Sequence, residues 1–222
     1  MKPVQLPPIV EHRISTTRRP RCSTARGGEK LTEAWIVLHG LGQLASVFIG
    51  YFKSIATPSR LIVAPEALSR HYIPQSGSSG TKNAKIGATW MTREDRDNEI
   101  ADYVEYLDAV WSDTAADASR VTVLGFSQGV ATAARWISSG SAKVDRLIAW
   151  AGQIPPYVDP AVFTKLSGGV TMVAGTTDEY ASWIAEGDHD SRLVAAGVTP
   201  RHLSFEGGHR MDRLTLESIA TS

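Results

Sequence analysis

Three residues able to do chemistry together follow short strand-like runs in the order Ser127, Asp178, His209. Ser127 lies in Gly125-Phe126-Ser127-Gln128-Gly129, a Gly-x-Ser-x-Gly pattern. A serine hydroxyl is a poor nucleophile at neutral pH and needs a neighbouring base to take its proton. It must also project from a tight strand-to-helix turn, and glycines two residues before and after it keep that turn free of clashes. In a chain with 19 glycines the pattern alone is a weak signal, and its context strengthens it. The run Val121-Thr122-Val123-Leu124 leads straight in as a strand. The small residues Val130-Ala131-Thr132-Ala133-Ala134 lead straight out, as a helix able to lie close to a sheet. The chemistry of such a serine is acyl transfer. An ordinary tight turn with a capping serine is the bland alternative.

Of the six histidines, His209 is best placed as the base. The strand-like run Arg201-His202-Leu203-Ser204-Phe205 reaches it through Glu206-Gly207-Gly208, a flexible loop at a strand's carboxyl end. The base needs an acid to orient it. Asp178 follows the run Val170 to Ala174 through Gly175-Thr176-Thr177, and Glu179 is its nearest competitor. His39, in Leu38-His39-Gly40-Leu41-Gly42, has another task or none. Asp188-His189-Asp190 reads as a solvated turn, because flanking carboxylates rarely converge on one ion. Acyl transfer also builds negative charge on a carbonyl oxygen, which backbone N–H groups usually hold. Gln128, at the start of the helix after Ser127, and Leu41, in the glycine-rich loop after an early strand, are the expected donors.

These residues need a scaffold. Ala34 to Leu38, Leu61 to Ala64, Val121 to Leu124, Leu147 to Ala151 and Val170 to Ala174 are short and almost wholly apolar. Such runs are strands covered on both faces, which is typical of parallel sheets. Helices are expected from near Thr92, with Ile100, Tyr103, Val104, Leu107, Val110 and Trp111 forming one stripe, and over Gln128 to Ser138, Ala181 to Ala196 and Met211 to Ala220. Strand and helix alternation implies a mostly parallel central sheet flanked by helices, with chemistry at the carboxyl ends of the strands. Val10 to Ser15 and its neighbours read as an antiparallel N-terminal edge hairpin. Residues 1–222 are expected to form one α/β domain in which 65–90 is a long loop, a candidate lid or pocket wall.

Composition removes several classes. Lys plus Arg is 23 and Asp plus Glu is 23, so there is no basic excess for a nucleic-acid partner. Arg18, Arg19 and Arg21 read as a solvated hairpin tip. No run is long and apolar enough for stable membrane insertion, and the opening residues lack the apolar core of a signal peptide. The single cysteine, Cys22, has no evident activating neighbour. Cysteine poverty fits a reducing compartment, so a cytoplasmic location is expected. The chemistry calls for no metal and no cofactor.

With these pieces in place, the chain resembles the phospholipase/carboxylesterase family of α/β-hydrolases, which includes the acyl-protein thioesterases and small carboxylesterases. The resemblance runs from about Trp35 to Leu216. It rests on Leu38-His39-Gly40-Leu41-Gly42, Ala64-Pro65-Glu66, Gly125-Phe126-Ser127-Gln128-Gly129, Gly175-Thr176-Thr177-Asp178 and Gly207-Gly208-His209. It implies an α/β-hydrolase fold whose serine, aspartate and histidine follow in this chain order. It also implies Ser127, Asp178 and His209 as the groups carrying catalysis, Leu41 and Gln128 as oxyanion donors, and a small-molecule acyl ester or thioester as substrate. The chain departs from the family at Ala88-Thr89-Trp90-Met91-Thr92-Arg93-Glu94-Asp95 and at Ala67-Leu68-Ser69-Arg70-His71-Tyr72, which leaves the substrate open. Trp90 and Met91 are candidates for the acyl pocket, with core packing the equal alternative. Two rival functions remain at this level: an acyltransferase using the same three residues, and a non-catalytic binding module on the same fold.

Overall fold

Runs that are apolar on every position become strands because both of their faces are covered. The computed structural model describes residues 18–25, 30–73, 84–186 and 188–222. In chain order the strands are β1 (Cys22–Ala25), β2 (Glu33–Leu38), β3 (Arg60–Pro65), β4 (Ser69–Ile73), β5 (Lys85–Thr89), β6 (Arg120–Phe126), β7 (Arg146–Trp150), β8 (Val170–Gly175) and β9 (Arg201–Phe205). The helices are α1 (Ala45–Phe48), α2 (Arg96–Thr114), α3 (Gln128–Ser139), α4 (Ala181–Ala185), α5 (His189–Ala195) and α6 (Arg213–Ala220), with 3-10 turns at Ile49–Ile55 and Pro160–Lys165.

Seven strands form one sheet in the order β1-β3-β2-β6-β7-β8-β9. Only β1 runs antiparallel, against β3; every other pairing is parallel. This is an α/β-hydrolase-like fold. Within β2, Ala34, Ile36 and Leu38 join the core layer under α2 and α3, while Trp35 and Val37 join the layer under α1 and α6. The period of two therefore persists inside a strand with no polar face, and it separates the two layers. The parallel register brings the ends of β2, β6, β8 and β9, and the turns that follow them, to one edge of the sheet.

The elements differ from expectation in four places. Region 65–90 is not one loop: β4 and β5 form an antiparallel pair, tied to the loop after β2 through a Gln43–Ala88 bridge. Its strands carry exposed residues, such as Tyr72 and Ile86, so no continuous apolar run marked them. The helix expected from Thr92 begins at Arg96. Glu99 draws Thr92 out of the cap position by accepting from its backbone N–H at 2.6 Å and its hydroxyl at 3.2 Å. The helix expected over 181–196 is two helices, α4 and α5, with Asp188 at φ 40° just before α5. His189 is buried there, so only the flanking Asp188 and Asp190 fit a solvated turn. The last helix starts at Arg213, where the Asp212 carboxylate accepts from the Thr215 N–H at 3.0 Å. The hairpin expected around Val10 to Ser15 lies outside the described residues; β1 supplies an antiparallel edge in the described part.

Candidate active site

Ser127 connects β6 to α3 in a conformation that few side chains adopt, with φ 54° and ψ −118°. Such a backbone typically costs about 1–3 kcal/mol and persists only where its surroundings fix it. Here the Ser127 N–H donates to the Trp150 carbonyl at 2.9 Å, and the Ser127 carbonyl accepts from Val130 at 3.0 Å. The two glycines are needed for contact rather than for freedom. A Cβ on Gly125 would run into the Gly129 carbonyl, and one on Gly129 would run into the Leu38 carbonyl at the end of β2. The turn closes only without side chains at both positions.

His209 stands beyond β9, and its Nδ1 lies 3.1 and 3.0 Å from the two carboxylate oxygens of Asp178, beyond β8. An ionised carboxylate only accepts, so Nδ1 carries the hydrogen and Nε2 keeps a lone pair. The Asp178 side chain is wholly buried and also accepts from the Tyr180 N–H at 2.9 Å, whereas the His209 side chain retains 14% exposure. Glu179, the sequence competitor for the acid, instead accepts from the backbone N–H of His209 at 3.3 Å. The imidazole packs 5.0 Å from the Phe126 ring and 4.7 Å from the Tyr180 ring, centre to centre. Phe126 directly precedes Ser127, so the histidine loop and the serine turn meet at this ring. Trp150 ties them again: its indole N–H donates to the Arg210 carbonyl at 3.0 Å, while its own carbonyl holds Ser127.

The loop after β2 closes on the same turn. A Cβ on Gly40 would lie 3.2 Å from the Ser127 Cβ, so this backbone passes beside the serine. His39 fixes its shape. The imidazole is fully buried; Nε2 accepts from the Ala67 N–H at 3.1 Å, which leaves Nδ1 to donate to the Gly40 carbonyl at 2.8 Å. Burial holds the His39 pKa below the usual imidazole value, against smaller opposing effects of the Gly40 hydrogen bond and Glu66, so the ring stays neutral. Leu41 follows on this loop. Gln128 opens α3, where backbone N–H groups have no carbonyl one turn earlier to bond.

The Gln128 side chain adds a link that its motif position did not reveal. Its Oε1 accepts from the Trp90 N–H at 3.1 Å and its Nε2 donates to the Met91 carbonyl at 3.0 Å, which fastens the segment after β5 to the serine turn. Trp90 is 2% exposed; its indole N–H donates to the His39 carbonyl at 2.9 Å and its ring packs on Tyr103. Burial of this kind supports the packing alternative for Trp90. Met91 is half-buried beside it. Among the described residues no group of three or more His, Cys, Asp or Glu could hold a metal ion, and no helix is long and apolar enough to cross a membrane. Cys22 is exposed on the edge strand β1.

A seven-stranded sheet that gathers a strained serine turn, a carboxylate-bound histidine and a glycine loop at one edge defines an α/β-hydrolase-type protein. The profile of the phospholipase/carboxylesterase family matches residues 21–220, and the chain belongs to that family. No curated protein sequence matches it. Among solved structures it is similar to acyl-protein thioesterase 2 of Zea mays, at 17% identity over 90% of this chain and 96% of that one, with a TM-score of 0.66. It is also similar to a carboxylesterase of Bacillus cereus, at 13% identity over 91% and 92% of the two chains and a TM-score of 0.64. A third similar structure is esterase PE8, at 20% identity over 91% and 96%, with a TM-score of 0.62. At these identities the likeness is one of fold.

Proposed function

We propose that the protein hydrolyses carboxylic esters or thioesters through an acyl-enzyme on Ser127. The observation that carries this reading is the His209–Asp178 pair, which leaves Nε2 as the basic nitrogen on a loop packed against the serine turn. Ser127 Oγ attacks the substrate carbonyl as His209 Nε2 takes its proton. Asp178 holds the tautomer and stabilises the imidazolium. The Leu41 and Gln128 N–H groups receive the oxyanion, and loss of one such donor typically lowers the rate about 100- to 1,000-fold. His209 then protonates the departing alcohol or thiol, and water, activated by the same nitrogen, releases the acid. No step calls for a metal or an organic cofactor.

Supporting the rest of the reading, the Gln128 bonds to Trp90 and Met91 fit the described part of 65–90 to serve as a pocket wall, and we take the chain, 1–222, to form one domain. Having one cysteine in 222 residues supports a reducing, cytoplasmic setting. The test is turnover of p-nitrophenyl esters from acetate to palmitate by the wild type and by Ser127→Ala. We expect the substitution to lower kcat by about 10⁴-fold or more with the melting temperature retained. Equal rates in the two proteins would remove Ser127 as the nucleophile. An added alcohol acceptor in the same assay reads whether the acyl group goes to water.

A further inference from the structure

On the α2–α3 side of the site two arginines flank one phenol. The guanidinium carbons of Arg96, on α2, and Arg135, on α3, stand 4.5 and 5.5 Å from the centre of the Tyr157 ring. Arg135 keeps only 9% of its exposure. Its polar partners are neutral: Nε donates to the Tyr157 hydroxyl at 2.6 Å, and Nη1 lies 3.3 Å from the Tyr103 hydroxyl and 3.2 Å from Met91 Sδ. Among the described residues, none of the ion pairs includes Arg135 or Arg96. Around the start of α2, Glu99 is engaged with Thr92 and Asp95 with Asn98. Burial pushes the Tyr103 phenol up to about 12, so it supplies no negative charge.

A buried cation surrounded by neutral groups has lost hydration that ring stacking recovers only in part. A second cation on the same ring adds repulsion. A ligand oxyanion would relieve both, and the guanidinium fork fits carboxylate and phosphate geometry. Tyr157 is 56% exposed, so a ligand can reach the pair from solvent.

Position connects this charge to the serine. Gln128 and Arg135 are seven residues apart on α3, two turns, and share a face. Both hold Met91, one by its carbonyl at 3.0 Å and the other by its sulfur at 3.2 Å. A long helical side chain leans toward the helix N-terminus, here toward Ser127. We infer that Arg135 and Arg96, around Tyr157, form an oxyanion-binding subsite that selects acyl substrates carrying a carboxylate or phosphate on the portion lying over Met91. The inference rests on the reading of Ser127 as an esterase nucleophile.

Two esters with five-carbon acyl chains test it: p-nitrophenyl valerate and the mono-p-nitrophenyl ester of glutaric acid. In the wild type we expect kcat/KM to favour the charged ester by about 10- to 100-fold, the range one charge-assisted hydrogen bond supplies. In Arg135→Gln that ratio falls to near one. A ratio near one in the wild type, or an unchanged ratio in a folded Arg135→Gln, overturns the subsite. If Arg135→Gln does not fold, Arg96→Gln, on the half-buried first residue of α2, carries the same expectation and the same refutation. Binding separates this idea from the esterase reading. The melting temperature of Ser127→Ala rises in glutarate or inorganic phosphate above its value in matched sodium chloride, and a second substitution of Arg135 by Gln removes the rise. Which anion acts tells carboxylate from phosphate. No rise with either overturns the subsite, whereas a rise without hydrolysis of any ester leaves the subsite standing and removes the esterase.

Discussion

The carboxyl ends of β2 and β9 each lead to a histidine on the same edge of the sheet, and the two histidines have opposite environments. His39 is fully buried with both ring nitrogens engaged, one by the Ala67 N–H and one by the Gly40 carbonyl. His209 has one nitrogen held by Asp178 and keeps a partly exposed ring between Phe126 and Tyr180. A general base needs one nitrogen anchored and one available. A scaffold histidine needs both anchored. The same side chain therefore builds the glycine loop in one place and, in the reaction we propose, is offered to a substrate in the other. Their difference lies in what surrounds them, since each follows a strand of the same sheet and abuts glycine.

The comparison breaks most sharply at Asp178. Asp178→Asn should lower kcat by about 10⁴-fold while preserving the fold, because an amide favours the wrong imidazole tautomer. Retained turnover in that variant would show that His209 is not oriented through Asp178. Next in size, His39→Ala should act on stability. It leaves a buried donor and acceptor unpaired, a loss of roughly 3 kcal/mol and about 10 °C in Tm. A collapse of kcat comparable to that of Asp178→Asn, with Tm unchanged, would reverse the roles of the two histidines.

The smallest effect is a pH dependence. Burial lowers the pKa of His39 in the folded protein, and burial also lowers that of His189. The unfolded chain, with imidazoles near the usual value of about 6.5, then takes up protons more readily than the folded one. The stability linked to these neutral rings is complete above that value and is lost as the pH falls through the folded pKa values. Thermal melts should be level between pH 7 and 8 and decline below about pH 6.5. His189→Asn should remove part of that decline, and a Tm unaffected by pH from 8 to 5 would contradict the neutral burial of both rings.

Much of this scaffold was legible. The runs containing Ile36, Val63, Val123, Ile148 and Val173 became adjacent strands, because a nearly all-apolar run is stable only when covered on both faces. The candidate site was legible where chemistry depends on chain position: Ser127 between glycines, Asp178 and His209 just past strands. It was illegible where the partner is distant in sequence. Glu99 takes Thr92 out of the cap, the exposed strands β4 and β5 lack an apolar run, and Arg135 reads as an ordinary helix arginine until Tyr157 and Tyr103 are placed beside it. Phe126, Trp150 and the side chain of Gln128 hold the site through contacts of the same kind.

The sequence alone determined the elements whose cause is local: apolar strands, a glycine-flanked serine turn, and candidate groups following strand ends in a fixed order. The tertiary structure alone decided which carboxylate, Asp178 or Glu179, lies against the His209 ring, which of His209 and His39 has both ring nitrogens engaged, and whether carboxylates or phenols stand beside Arg135. Those choices depend on which hydrogen-bond partner or charge stands within about 3 Å in space, and a linear pattern of residues does not encode that distance.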